Sequence, residues 1–263
     1  MSDAIEHPLS RPQDHRFWLT TSDGVGIDAV LRRGAEPSDT AVVLANGFTG
    51  TYRSPYTQSI AESVSAVGDV MMFDFRGHHA SGGHSTVGNA EIHDLEAVVA
   101  RLRKLGYTTV ATVGFSMGAA VAIRHAAVFG GVDAVVSVSA PSRWYYRGTR
   151  RMRLLHVGIE RTAGRFFLQR FRAVRVTDRR WDPRPEEPRE IAGRISPTPL
   201  LVVHGDADTY FPVAHATAIH EAAGEPRDLW IVPGMGHAER AVTPELSARL
   251  RDWLRERVGP SKD

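Results

Sequence analysis

The chain has 263 residues, 42% of them hydrophobic and 24% charged, with a formal net charge of +2 and no cysteine. That is ample apolar material for a large core, and the missing cysteine excludes disulfides, thiolate nucleophiles and cysteine-held metal. No stretch approaches the ~20 apolar residues of a membrane-spanning helix, and the polar start Met1–Pro8 lacks the apolar core of a secretion signal, so the expected location is cytoplasmic.

In chain order, Phe17–Thr21 and Val25–Leu31, joined at Asp23-Gly24, read as an antiparallel hairpin. A strand at Ala41–Ala45, a helix near Tyr56–Val67 and a buried strand at Val70–Asp74 follow. Glu91–Leu105 gathers Leu95, Val98, Val99 and Leu102 on one helical face. The β-prone stretch Tyr107–Val113 runs into Gly114-Phe115-Ser116-Met117-Gly118, and then into an alanine-rich helix, Ala119–Val128. After a strand at Ala134–Val138 the alternation stops. Residues 142–196 hold two stretches with amphipathic helical spacing, Thr149–Glu160 and Thr162–Val174. The alternation resumes with strand Leu200–His204, helix Val213–Ala223, strand Leu229–Val232 and helix Pro244–Arg257, and the tail Gly259–Asp263 reads as frayed. Strands alternating with helices predict an α/β fold, a mostly parallel sheet covered on both faces. The expected organisation is one core domain, residues 1–141 and 197–263, interrupted by a helical insertion at 142–196.

Strand, sharp turn and helix with Ser116 at the apex form a nucleophile elbow. Glycine at 114 and 118 suits it, because a side chain there would meet neighbouring backbone. The helix also starts beside the serine, with its free N–H groups directed at the reaction centre. A serine nucleophile needs a base, and the base needs an orienting acid. The buried-type strand Leu200–His204 ends in Gly205-Asp206-Ala207-Asp208-Thr209-Tyr210-Phe211-Pro212, and the strand Asp228–Val232 ends in Pro233-Gly234-Met235-Gly236-His237. Functional groups in open α/β sheets sit beyond the carboxyl ends of strands, so Asp206, Asp208 and His237 are all placed for the work.

With Ala45-Asn46-Gly47-Phe48 after a strand, Asp74-Phe75-Arg76-Gly77-His78, the Gly114–Gly118 elbow, and the Gly205–Pro212 and Gly236-His237 loops, the chain resembles the α/β-hydrolase superfamily from about Phe17 to Leu254. Its nearest likeness is the single-domain branch of serine aminopeptidase-like, monoacylglycerol-lipase-like and carboxylesterase-like enzymes. The resemblance implies an α/β-hydrolase fold with a mostly parallel eight-stranded sheet and a helical cap inserted after strand 6. It implies a triad of Ser116, Asp208 and His237. The pattern Gly-x-x-Asp-x-x-x-Pro selects Asp208 and leaves Asp206 as a turn cap. The backbone N–H groups of Phe48 and Met117 are the implied oxyanion donors. Asn46 stands where relatives commonly carry histidine, either bracing the loop or reading a polar substrate group. His79 stands where glycine is usual.

No cofactor and no metal are expected. His78, His79 and His84 are close in sequence, but they fall in the structural loop of the family pattern rather than in a ligand set. His204 and His125 read as packed structural histidines. Trp144, Tyr145, Tyr146, Leu154, Leu155, Phe166, Phe167, Leu168 and Phe171 offer apolar cover for a pocket.

Charge is unevenly spread. Between Arg143 and Trp181 there are twelve arginines and no lysine against Glu160 and Asp178, and arginine supplies all but two of the chain's 32 basic residues. Three readings are open: a solvated outer face of the cap, attraction of an anionic substrate or acyl carrier, and adsorption to an anionic membrane surface. No nucleic-acid recognition motif accompanies the patch. The leading expectation is a serine hydrolase acting on a small-molecule acyl substrate, a carboxylic ester, through an acyl-enzyme. A thioester is the nearest variant; amide cleavage stays open, though the few carboxylates near the cap argue against an aminopeptidase; and a non-catalytic binding role is the alternative from another class. An aspartate-nucleophile dehalogenase is excluded by Ser116.

Overall fold

The computed structural model describes residues 14–258. The expectations for Met1–Pro8 and Gly259–Asp263 lie outside the described residues. Eight strands form one sheet: β1 (Asp14–Thr20), β2 (Gly26–Arg32), β3 (Thr40–Ala45), β4 (Asp69–Phe73), β5 (Thr109–Phe115), β6 (Ala134–Val138), β7 (Leu200–Gly205) and β8 (Arg227–Val232). The spatial order is β1-β2-β4-β3-β5-β6-β7-β8. β1 pairs antiparallel with β2 and β2 with β4, and every other pairing is parallel.

The central strands are apolar on both faces because both faces are covered. Along β3, Ala41, Val43 and Ala45 enter one core and Val42 and Leu44 the other, the period of two expected of a strand. The first core is closed by α2 (Glu91–Lys104), α3 (Met117–Val128), α6 (Pro188–Ile191) and α7 (Ala214–Ala222). The second is closed by α1 (Pro55–Val64) and α8 (Pro244–Val258). In α3, Ala119, Ala120, Val121, Ala122 and Ile123 are wholly buried. Alanine there lets the helix lie close beneath the sheet. Among the described residues no helix is long and apolar enough to cross a membrane.

The insertion between β6 and β7 carries α4 (Arg150–Glu160) and α5 (Thr162–Arg172). They pack closely against each other through glycine, where a Cβ at Gly164 would stand 2.4 Å from the carbonyl oxygen of Gly158. α5 ends at Arg172, two residues short of the sequence expectation, because Ala173 turns left-handed (φ 52°) and the chain becomes extended. Val174 and Val176 then bridge to His78 and Ser85 in the loop after β4. That pairing clips the insertion to the core.

The apolar cover expected of this segment is only partly formed. Trp144 and Leu168 are buried, as is Met152, but Leu154, Phe166, Phe167 and Phe171 are 63%, 67%, 55% and 63% exposed. Both helices are amphipathic, yet each presents a narrow stripe to the core: Met152 and His156 on α4, and Leu168 on α5.

Candidate active site

Four loops meet at the carboxyl ends of β3, β5, β7 and β8, all parallel and close in the sheet. Each brings one part of the site. At the end of β5 the backbone of Ser116 has φ 52° and ψ −114°, a conformation that an L residue holds only when its surroundings enforce it. The enforcement is visible at the flanking glycines. A Cβ on Gly114 would stand 2.4 Å from the Gly118 oxygen, and one on Gly118 would stand 2.2 Å from the Ala45 oxygen. The turn is therefore pressed between its own helix and β3, and Ser116 is raised above the sheet edge.

His237, in the loop after β8, places Nε2 2.9 Å from Ser116 Oγ. Its Nδ1 lies 2.7 Å from Asp208 Oδ2. The other oxygen of Asp208 accepts the amides of Tyr210 at 2.7 Å and Phe211 at 3.1 Å. Burial pushes the Asp208 carboxyl upward, but the hydrogen bond and charge of His237, with these two amides, outweigh it and hold its pKa below the ordinary value. The Tyr210 ring stacks on the imidazole at 4.4 Å between centroids. The amide after the histidine, Ala238 N–H, donates to Ser139 Oγ at 3.1 Å. Imidazole orientation is thus fixed by Asp208, by a ring on one face and by the backbone beyond it. Asp206 does something else: its Oδ1 accepts the Gly234 amide at 2.7 Å, capping the neighbouring turn.

The loop after β3 runs Gly47-Phe48-Thr49-Gly50. Thr49 N–H donates to His78 Nε2 at 3.2 Å, and Gly50 N–H donates to the Gly47 carbonyl at 2.9 Å. The Gly47 amide faces the Glu239 carboxyl. That of Phe48 has no such partner among the described residues. Met117 is the first residue of α3, where an amide has no acceptor within its helix. Asn46 is buried and braces the loop: its Nδ2 donates to the Phe73 carbonyl at 3.3 Å and its Oδ1 accepts Thr57 Oγ1 at 2.8 Å. It does not line the cavity. Asp74 ties down the same loop further on, accepting Tyr52 N–H at 2.9 Å, Thr51 Oγ1 at 3.1 Å and Arg53 Nη1 at 2.8 Å. Burial raises the Asp74 pKa to about 6.

A cavity of 360 Å³ opens beside Ser116, lined by Phe48, Met152, Leu155, Tyr210, Phe211 and His237 among others. Met152 and Leu155 come from α4, so the inserted helices do reach the site.

Three residues support the site in ways that the sequence does not announce. His78 donates through Nδ1 to the Arg76 carbonyl at 3.0 Å, which frees Nε2 to accept from Thr49. Burial lowers its pKa to about 4 and keeps it neutral. Its place in the Asp74–His78 motif was the only sequence signal. Tyr210 lies two residues after Asp208 but carries no motif of its own. Glu239 lies two residues after His237, buried, with Oε2 lacking a hydrogen-bond partner, and burial raises its pKa.

Two other histidines are packed in the core, and His84 is exposed. His204 is buried and donates Nε2–H to the Phe211 carbonyl at 2.9 Å. His125 pairs with Glu96 at 2.8 Å. His79 occupies a left-handed position, φ 44°, the conformation that a glycine takes readily. Among the described residues no three His, Asp or Glu side chains group as a metal site would require.

The comparisons agree with this architecture. The esterase Pf2001 of Pyrococcus furiosus is 22% identical, with a TM-score of 0.71 over 97% of this chain and 99% of that one. The alpha/beta hydrolase GrgF of Penicillium sp. sh18 is 20% identical, TM-score 0.72, over 93% and 98%. XC6422 of Xanthomonas campestris, described as a serine hydrolase without a lid, is 19% identical, TM-score 0.63, over 98% and 100%. At these identities the likeness is one of fold. The search of curated proteins found no match. Sequence similarity adds what fold likeness alone does not: the model of the Alpha/beta hydrolase family matches residues 42–250, from β3 into α8, and the chain belongs to that family.

Proposed function

We propose that the protein is a serine hydrolase that cleaves a carboxylic ester through an acyl-enzyme. The observation that carries the reading is the unbroken line Ser116 Oγ, His237 Nε2, His237 Nδ1, Asp208 Oδ2, with contacts of 2.9 Å and 2.7 Å. In the first step His237 takes the Ser116 proton while Oγ forms a bond to the ester carbon. The carbonyl oxygen gains the charge and is held by the amides of Phe48 and Met117. The carbon–oxygen bond to the alcohol then breaks, and the alcohol leaves with the proton from His237. Water, deprotonated by the same imidazole, releases the acid and restores Ser116. Asp208 holds the tautomer in which Nε2 is free to accept, and stabilises the imidazolium. α4 and α5 act as a cap that supplies one wall of the acyl site.

Intact-mass measurement after fluorophosphonate treatment tests this. One adduct on the wild type, absent from Ser116→Ala, is the expected result. A folded wild type that takes no adduct would refute the reading. Ester, thioester and aminoacyl-amide substrates, compared at equal concentration, then rank the acyl bonds, with the ester expected first.

A further inference from the structure

Arginine is abundant in this chain, and some arginines are held by carboxylates. Within the insertion, Arg184 and Arg189 pair with Glu187, and Arg194 pairs with Glu186. Nearer the sheet, Arg16 and Arg53 pair with Asp28, and Arg76 with Asp94. Many arginines of the insertion have no carboxylate partner among the described residues, and what singles out three arginines is their place. Arg151 from α4, Arg172 from the end of α5 and Arg240 from the loop after β8 all line the cavity that holds Ser116. None of the three has a carboxylate within 4.0 Å among the described residues.

Their contacts are with neutral groups at the working edge of the site. Arg172 Nη2 donates to Thr49 Oγ1 at 2.9 Å, one residue from the Phe48 amide. The Arg151 guanidinium lies 5.4 Å from the centre of the Tyr210 ring, which itself stacks on His237. The Arg240 guanidinium lies 5.7 Å from the Tyr56 ring. Three like charges brought from three elements to one cavity of 360 Å³ repel one another. The one carboxyl in the lining, Glu239, is buried against the Gly47–Gly50 turn. Burial raises its pKa.

We infer that this cavity recognises an acyl ester carrying an anionic oxyacid group, a carboxylate or a phosphate, gripped by Arg151, Arg172 and Arg240. The inference rests on the serine-hydrolase reading and adds the substrate class to it. The chemistry fits on two counts. A guanidinium offers a planar fork of donors that matches carboxylate and phosphate oxygens. Met152 and Leu155 line the same cavity and offer apolar contact to the rest of the acyl group. A neutral long-chain ester would leave all three cations without an anionic partner.

The test uses small anions as probes of the cavity and the labelling rate of Ser116 as the readout. Fluorophosphonate labelling is followed with millimolar glutarate, millimolar inorganic phosphate, or sodium chloride of matched ionic strength. The series covers wild type, Arg151→Gln, Arg172→Gln, Arg240→Gln and the control Arg194→Gln. Glutarate or phosphate is expected to slow wild-type and control labelling while chloride does not. The protecting concentration should rise about tenfold or more in each cavity variant, the loss of one charge-assisted contact. Whichever anion protects identifies the oxyacid. Each variant labelled without competitor reports its own folded site. Equal labelling rates in all three solutions would overturn the inference and leave the hydrolase reading intact. Protection that persists unchanged in all three cavity variants would also overturn it. Wild type that is not labelled at all would take down the hydrolase reading, and this inference with it.

Discussion

The amide of Thr49 donates to Nε2 of His78 at 3.2 Å, so a buried histidine from the loop after β4 holds the residue next to the proposed oxyanion donor. The Phe48 ring also meets the His78 imidazole edge-on, 5.7 Å between centroids. Removing that support lets the Phe48 amide drift from the position at which charge develops. His78→Ala is expected to lower kcat by about 10- to 100-fold, less than the loss of a whole oxyanion donor, with KM little changed. His78→Gln, which keeps an acceptor and a donor of similar reach, should recover most of it. Steady-state kinetics on an ester substrate check both. Equal losses in the two variants would mean that His78 acts only through folding.

The two aspartates of the β7 loop separate cleanly. Asp208 contacts His237 and Asp206 caps Gly234. Asp208→Asn keeps the shape but offers the imidazole the wrong partner, so a loss of about 10⁴ in kcat is expected. Asp206→Asn should leave kcat within about twofold and change stability by less than about 1 kcal/mol, since the side chain is exposed and an amide oxygen still accepts. Kinetics and urea denaturation of both variants decide which aspartate serves the histidine.

The fold was largely legible because the strands of a doubly covered sheet are short apolar runs bounded by turns, and Ser116, Asp208 and His237 sit where such strands end. Boundaries moved by one to three residues where local chemistry decided them: α1 begins at Pro55, after the Ser54 hydroxyl caps Tyr56 N–H. What was not legible depends on contacts between distant residues. The spacing of Phe166, Phe167 and Phe171 shows an amphipathic α5, but not which stripe the core accepts, and Leu168 is the residue taken inside. Thr49 and His78 are 29 positions apart, and nothing local to either announces the pair. The sequence did show that the insertion is rich in arginine, but not that Arg151 and Arg172 face Ser116 without carboxylate partners.

Acid should destabilise the fold through two buried neutral histidines. Burial lowers both His78 and His215 to about 4, with Arg143 adding to the effect at His215. The unfolded chain takes these protons near the ordinary value of about 6.5, the folded chain only near 4. Their contribution is therefore complete above about pH 6.5 and is lost as pH falls toward 4. Asp74, raised to about 6 by burial, works in the opposite sense, so the histidine part is read by difference. His78→Gln and His215→Gln should each flatten the dependence of unfolding free energy on pH between 6.5 and 4, by up to about 1.4 kcal/mol per pH unit. Urea titrations across that window measure the slopes. A slope unchanged from wild type would show that the histidine in question is protonated in the folded state.

Glu239 costs the fold something at neutral pH. Its carboxyl is buried beneath the Gly47–Gly50 turn, its Oε2 has no hydrogen-bond partner, and burial raises its pKa. A charge held there without full compensation is unfavourable. Because the folded pKa lies above the unfolded one, the favourable contribution is present at low pH, where both states are protonated, and is lost as pH rises through the folded value. Glu239→Gln has the same shape and no charge to bury. Its stability relative to wild type should therefore grow as pH rises from 5 to 8. Urea midpoints of both proteins at the two pH values give the comparison. The opposite trend would mean that the ionised carboxylate is fully satisfied by the Gly47 amide and its neighbours, and that it helps to hold the loop bearing Phe48.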